Sequence, residues 1–160
     1  NATSFRMFNV YGPKQALDNP YQGVLGIFIG NVLRGEPINI FGDGEQTRDF
    51  IYIDDIVEAW INALERPQTY GKMINLGSGS SYKINYIAKC VIEIIAGDNA
   101  RYSVNKQPAR SGEQRHVNAD ISLANKILDW NPKMEFYQGL EETIKWAKHE
   151  IQQSQKITNL

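Results

Sequence analysis

Three arginines sit where binding chemistry can be done. Arg48, Arg110 and Arg115 fall in loop or strand-edge settings rather than along helix faces. A guanidinium offers a planar fork of donors, so two of them brought from distant loops can clamp a diphosphate. Arg48 has the richest setting. It follows the glycine-rich turn Gly42-Asp43-Gly44-Glu45-Gln46-Thr47 and precedes a short apolar run that ends at Asp54-Asp55. Turn, cation, strand and helix start, in that order, suit an anionic ligand, with phosphate first among them. Each arginine also has a local alternative, Arg48 with Asp49 or Asp55 and Arg110 with Glu113, because most surface charges are solvated or paired nearby. Asp54 and Asp55 are adjacent at a helix start and point in different directions, so they read as caps rather than a facing acid–base dyad. Gly77-Ser78-Gly79-Ser80-Ser81 follows a strand but has neither GxGxxG spacing nor a Walker lysine, and reads as an ordinary strand-to-helix loop. Cys90, beside an apolar helix stripe with no histidine near it in sequence, reads as a buried inert thiol. Trp60, Trp130 and Trp146 read as core or helix-end packing.

These residues need elements to position them. Residues 3–11 form a strand-like run that stops at Gly12-Pro13, and residues 14–22 are a polar loop. An apolar helix over 23–33 carries Val24, Ile27, Phe28 and Leu33 and is closed by Gly35. Residues 37–41 alternate as a short strand ahead of the glycine turn. The spacing predicts an amphipathic helix over 53–64 with Ile53, Ile56, Val57, Trp60, Ile61 and Leu64 inward. Asp54 or Asp55 is its N-cap, and Glu58 completes a capping box. A buried strand covers 72–76. A second amphipathic helix covers 84–95, with Ile84, Ile87, Ala88, Val91, Ile92 and Ile95 on one stripe and Gly97 as its stop. A strand is expected over 101–104, a polar loop over 107–115, and a short helix over 122–128 capped by Asp120 or Ser122. The last helix spans 137–152, with Leu140, Ile144, Ala147 and Ile151 inward. The expected organisation is one unit over 1–152 and a polar tail over 153–160. Strands separated by helices indicate an α/β protein with some α+β character. The strands are few, and several read as buried on both faces, so the sheet lacks neighbours that the chain does not supply.

Composition bounds the function. The 160 residues are 42% hydrophobic and 22% charged, and 17 Lys and Arg oppose 18 Asp and Glu for a net charge of -1. That balance argues against generic nucleic-acid binding. No window has the length and apolarity of a membrane span. The single cysteine cannot form an internal disulfide and fits a reducing, cytoplasmic setting. With only His116 and His149, no metal-ligand spacing appears.

Taken in order, the motifs resemble a known family. Arg6-Met7-Phe8-Asn9-Val10-Tyr11-Gly12-Pro13, the stretch over 42–55, Asn75-Leu76-Gly77-Ser78-Gly79, Arg110-Ser111-Gly112-Glu113, Ala119-Asp120 and Trp130-Asn131-Pro132 look like the C-terminal half of an extended short-chain dehydrogenase/reductase. The type is the NAD-dependent sugar-nucleotide epimerase/dehydratase, with UDP-glucose 4-epimerase foremost. The resemblance implies a substrate-binding subdomain joined to edge strands of an incomplete Rossmann-type sheet. It implies that Phe8 and Val10 lie at the strand end where cofactor meets substrate, and that Asn9 bonds the sugar nucleotide near its phosphates. Asn39, Ile40 and Phe41 line the nucleobase pocket. Arg48 and Arg110 bind phosphate, which reverses the preference for local pairing. Glu113 stands where the family usually has an Asp that touches the ribose, and Arg115 holds a less constant binding position.

The family's glycine-rich NAD loop and its Tyr-x-x-x-Lys pair are not in this sequence. In the family, NAD takes a hydride from the sugar and returns it, while the tyrosine serves as acid and base. The chain is therefore expected to carry no catalytic residue and to bind UDP- or dTDP-sugars. Tight NAD binding is not expected of it alone, NAD being the cofactor of the complete parent enzyme. The opening on Asn1, the strand shortage and the absent pair lead to the expectation of a C-terminal fragment or one half of a split protein. Its partner would then be an N-terminal half, and exposed strand edges would promote self-association. The alternative is a stand-alone nucleotide-sugar-binding or assembly module without redox chemistry. No nucleic-acid or membrane partner is expected.

Overall fold

The computed structural model describes residues 1–17, 19, 23–98 and 100–158, with side chains to 153. The run over 3–11 is not one strand. It divides at Phe8 into β1 (Ser4–Met7) and β2 (Asn9–Tyr11), which enter different sheets. β1 pairs in parallel with β5 (Met73–Leu76), and β2 pairs in parallel with β4 (Thr47–Tyr52). β4 also takes β6 (Ser81–Lys83) antiparallel on its other edge. A third pair joins β3 (Ile38–Phe41) to β7 (Val104–Gln107) in parallel. The fold is thus mixed α/β, with three small sheets, two of which share one chain segment through the β1–β2 switch.

Two expectations shift here. The strand expected over 101–104 lies at 104–107, and β6 begins on the last residue of the 77–81 loop and runs through Tyr82 and Lys83, for which no element is expected. Polar Asn105, Lys106 and Gln107 hid the first. The second is three residues long and depends on the edge of β4 for its pairing. The 14–22 loop lies partly at 18 and 20–22, outside the described residues.

Helix α1 (Val24–Arg34) ends at Gly35, whose left-handed φ of 74° lets its N–H reach back to Asn31 and Val32 carbonyls. α3 (Ile84–Ala96) buries Ile84, Ile87, Ala88 and Val91 as its period predicts, and Cys90 with them. Burial pushes the Cys90 thiol up, which makes it a poor nucleophile. α5 (Phe136–Thr158) continues beyond 152, so most of the expected tail is helical; residues 159–160 lie outside the described residues. These three helices close one core over β3 and β4, around Phe28, Ile29, Ile38, Ile40, Phe50, Ile87, Leu140 and Ile144.

The second core lies between α2 (Ile53–Leu64), α4 (Ser122–Leu128) and β5. It holds Ile51, Ile56, Ala59, Ile74, Leu76, Ala124, Leu128 and Trp130. α2 does not turn its widest apolar stripe inward. It buries Asp55, Ile56, Ala59 and Ala63, and leaves Val57, Trp60, Ile61 and Leu64 between 44% and 77% exposed. Small residues let α2 lie close to the second core, which leaves the bulky face outward. Trp60 stacks on Phe5 of β1, with ring centroids 6.2 Å apart. Trp130, by contrast, is 1% exposed and donates its indole N–H to the Asp55 carbonyl at 2.9 Å.

The expected capping of α2 is also corrected. Tyr52 is the N-cap, with no side-chain cap bond. Asp55 is 4% exposed, and its carboxylate accepts from the N–H groups of Lys133 and Met134 at 3.0 and 3.1 Å. Glu58 pairs with Lys133 Nζ at 2.6 Å instead of closing a box. At α4, Asp120 accepts from the Ser122 N–H, so this acid orders the turn ahead of the helix.

Candidate functional site

A cleft of about 660 Å³ opens between α1, the β3–β7 pair and the start of β4. Its apolar wall comes from Val24, Ile27, Phe28, Phe41 and Ile84, and its polar rim includes Asn9, Asn39, Arg48, Gln107, Arg110 and Glu113. Alternation along β3 explains part of this. Ile38 and Ile40 are buried, while Asn39 and Phe41 face the cleft. Ile40, read as lining the pocket, therefore supports it from the core side.

Arg48 and Arg110 come from segments far apart in sequence and meet at this cleft. Arg48 Nη2 pairs with Glu113 Oε1 at 2.6 Å, and Nη1 donates to the Thr47 and Gln114 carbonyls, each at 2.8 Å. Its side chain is only 18% exposed, so the guanidinium is held in one place. Arg110 lies over the Phe41 ring, with Cζ 3.9 Å from the centroid, a cation–π contact. The local pairings open at the sequence level are not formed: Glu113 goes to Arg48, and the carboxylates of Asp49 and Asp55 go to backbone N–H groups.

Arg115 stands apart. It grips Asp43 with both terminal nitrogens at 2.7 and 2.8 Å, both residues are half exposed, and neither lines the cleft. The Arg115 hydrogen bonds, helped by the Glu45 N–H, hold the Asp43 carboxyl down to about 2. The Arg115 carbonyl also accepts from the Thr47 N–H at 2.9 Å, so this segment clasps the start of β4. Gly44 completes the turn. Its φ is +78°, and a β-carbon there would collide with the Asn85 side chain.

Asp49 was not singled out from the sequence, yet it organises the site from beneath. It is fully buried and accepts four bonds: from Ser78 N–H and Oγ at 2.7 and 2.8 Å, and from Gly79 and Ala119 N–H groups at 3.0 Å. A carboxylate inside an apolar strand is the signal that could have found it. Asp49 also decides the glycine–serine loop, whose Ser78 and Gly79 N–H groups are committed to this carboxylate rather than to a phosphate. Gln46 and Gln107 are further cleft residues that sequence reasoning missed; both are uncharged and neither breaks a pattern.

A second, more open groove of about 640 Å³ adjoins the first and is lined by Arg6, Phe8, His116 and Asn118. Asn9 and Arg48 border both spaces. Asn9 is oriented by its Nδ2 bond to the Asp49 carbonyl at 2.8 Å. Phe8 thus faces a groove, whereas the Val10 side chain packs against the second core. Burial pushes the Tyr11 and Tyr82 phenols up, opposite to what a tyrosine base requires. Among the described residues, no group of three or more His, Cys, Asp or Glu could hold a metal, and no helix is long and apolar enough to cross a membrane.

This combination of arginines, amides and an aromatic wall invites comparison with nucleotide-binding proteins. The family model for the NAD dependent epimerase/dehydratase family matches residues 1–77. Over those residues the chain is similar to that family. It is 34% identical to a UDP-N-acetyl-alpha-D-glucosaminuronate decarboxylase of Bacillus cytotoxicus, covering 91% of this chain and 46% of that protein. It is 38% identical to a UDP-glucuronate 4-epimerase of Thermodesulfobacterium geofontis, covering 92% and 43%. Among solved structures, the UDP-glucose 4-epimerase of Thermotoga maritima with UDP-glucose is 35% identical at a TM-score of 0.84, over 93% of this chain and 46% of that one. The UDP-glucuronic acid 4-epimerase of Bacillus cereus, with UDP-glucuronic acid and NAD, is 33% identical at 0.81, over 92% and 45%. The chain spans less than half the length of these relatives.

The residues present do not fit the pyrophosphate of NAD. That group needs free backbone N–H donors at a glycine-rich strand-to-helix turn. The one such loop in the described residues, 77–81, gives the N–H groups of Ser78 and Gly79 to Asp49.

Proposed function

We propose that this chain is the nucleotide-sugar-binding part of an NAD-dependent sugar-nucleotide epimerase or dehydratase. One observation carries the reading: a single cleft presents two arginines from distant segments beside an aromatic and amide-lined wall. The diphosphate lies between Arg48 and Arg110, the base against Phe41 and Asn39, and the sugar passes Asn9 toward the Phe8 groove. Glu113, already bonded to Arg48, is placed to take a ribose hydroxyl. Arg115 holds the turn rather than the ligand. The chain supplies binding and orientation, and hydride and proton transfer belong to residues and a cofactor outside it.

The exposed face of α2 supports a chain that docks against a further segment. Val57, Trp60, Ile61 and Leu64 lie on it, and Met7 and Met73 are exposed on the β1–β5 pair. A second reading, a binding module with no redox partner, shares the same cleft.

Calorimetry with UDP-glucose tests the proposal. Binding by the chain is expected, and Arg48→Ala or Arg110→Ala each weakens it by roughly tenfold to a hundredfold through the loss of charge-assisted bonds. Absence of heat with UDP, UDP-glucose and dTDP-glucose would remove the nucleotide-sugar reading.

A further inference from the structure

Between Gln107, where β7 ends, and Ala119, whose N–H is held by Asp49, the chain runs along the edge of the cleft. Residues 108–116 of this strap are all exposed, and none belongs to either core. Polar contacts fasten it. On the outside, Arg115 holds the Asp43 carboxylate through its side chain and the Thr47 N–H through its carbonyl. On the cleft side, Glu113 turns inward to Arg48 Nη2 at 2.6 Å, and Arg110 Cζ lies 3.9 Å from the centroid of the Phe41 ring.

These two inner contacts have the chemistry of a ligand. Glu113 sets an anion on the fixed cation of the cleft wall, and Arg110 lays a flat, delocalised plane on its aromatic face. The inner pair is also the better protected one. The side chains of Arg48 and Glu113 are 18% and 25% exposed, against 53% for both Arg115 and Asp43, so water and salt screen it less. An anion entering the cleft meets a competitor already on Arg48 and gains only the difference between the two interactions. The strap can yield, because a segment with no side chain in a core opens locally at small cost.

We propose that the strap is autoinhibitory: Glu113 and Arg110 occupy Arg48 and Phe41 as a ligand would, and binding exchanges both contacts while the Arg115–Asp43 clasp keeps the strap attached. Displacement frees the Arg110 fork to turn to the diphosphate as the second jaw of the clamp. This rests on the nucleotide reading of the cleft and adds an internal competitor to it.

Calorimetry with inorganic pyrophosphate, which carries neither base nor ribose, tests the exchange on the chain, on Glu113→Gln and on Glu45→Gln. Glu45 pairs with Lys83 and lines no part of the cleft, so its variant removes the same charge without touching Arg48. Glu113→Gln is expected to bind pyrophosphate about tenfold more tightly than the parent, the size of one charge-assisted bond that no longer competes. Glu45→Gln is expected to stay within about twofold of the parent, as a screened surface charge should. Side-chain NMR reads the other contact. The Arg110 side-chain protons are shielded by the Phe41 ring, and they are expected to return to ordinary arginine shifts as uridine 5′-diphosphate saturates the chain. Equal or weaker pyrophosphate binding by Glu113→Gln overturns the strap. So does an equal gain in Glu45→Gln, which is a general charge effect, and so do Arg110 signals that keep their shift at saturation. These three outcomes leave the nucleotide reading standing. If neither pyrophosphate nor uridine diphosphate binds any of the chains, the nucleotide reading fails and the strap with it.

Discussion

Arg48, Arg115 and Asp49 show three fates of charge around the start of β4. Arg48 is nearly buried and held by Glu113 and two carbonyls, so its position is set before any ligand arrives. Arg115 is spent on Asp43 at the surface. The folded Asp43 carboxyl titrates at about 2, below its ordinary value of 3.8. A depressed carboxyl favours the folded state above its unfolded value, and that contribution fades as pH falls from there toward 2. Carbon-detected NMR titration should place the Asp43 midpoint near 2, and Arg115→Ala should return it toward 3.8. Asp49 offers the larger effect on stability. Of its four donors, three are backbone N–H groups that lose this acceptor once the carboxylate is gone, while Ser78 Oγ can still donate to the Ser80 carbonyl. Asp49→Ala is expected to lower stability by roughly 3 kcal/mol in urea melts, the cost of leaving buried donors unpaired.

Helix α2 shows what can and cannot be read at the level of an element. Its bounds, 53–64, follow from the period and match the structure. Its orientation does not follow, because the moment of an isolated helix points to its bulkiest apolar face. The fold instead buries the face with Ala59 and Ala63, where close approach to β5 and α4 is possible. The exposed face predicts an outcome: Ile61→Lys with Leu64→Glu should leave unfolding within about 0.5 kcal/mol of the parent. The same pair should reduce concentration-dependent association in sedimentation velocity, if that face is the adhesive one. The same distinction holds for the site. Arg48 and Arg110 stand out in the sequence as cations in loops and strand edges, whereas Asn39 is a candidate only through the family resemblance. Ile40 and Val10 were misplaced because strand alternation, not motif position, decides which side chain faces a cavity. Gln46 and Asp49 acquire their roles from partners distant in the chain or from a buried environment, which local pattern does not encode.

At the scale of the molecule, the first core and its cleft are enclosed by α1, α3 and α5, whereas the β1–β5 pair is a two-stranded parallel sheet beside an uncovered helix face. Parallel pairs are ordinarily covered and flanked. Mixing the chain with a separately expressed segment that carries GxxGxxG and Tyr-x-x-x-Lys should therefore lower the exposure of Trp60, read as a blue shift in fluorescence, and restore turnover of a UDP-sugar. A mixture without either change would favour the binding module. The carboxylates of Asp49 and Asp55 have one further consequence. Asp49 reaches the backbone of Ala119, and Asp55 that of Lys133 and Met134, some 70 to 79 residues downstream. A ribosome delivers Asp55 long before its partners, and delivers Asp49 with Ser78 and Gly79 some 30 residues behind it but Ala119 only 70 behind. The second core, which needs Leu128 and Trp130 as well, cannot close on the nascent chain until these late residues emerge. Closure of the second core is then a late, non-local event, and β4 and α2 each spend that interval with an acid that lacks part of its donor set.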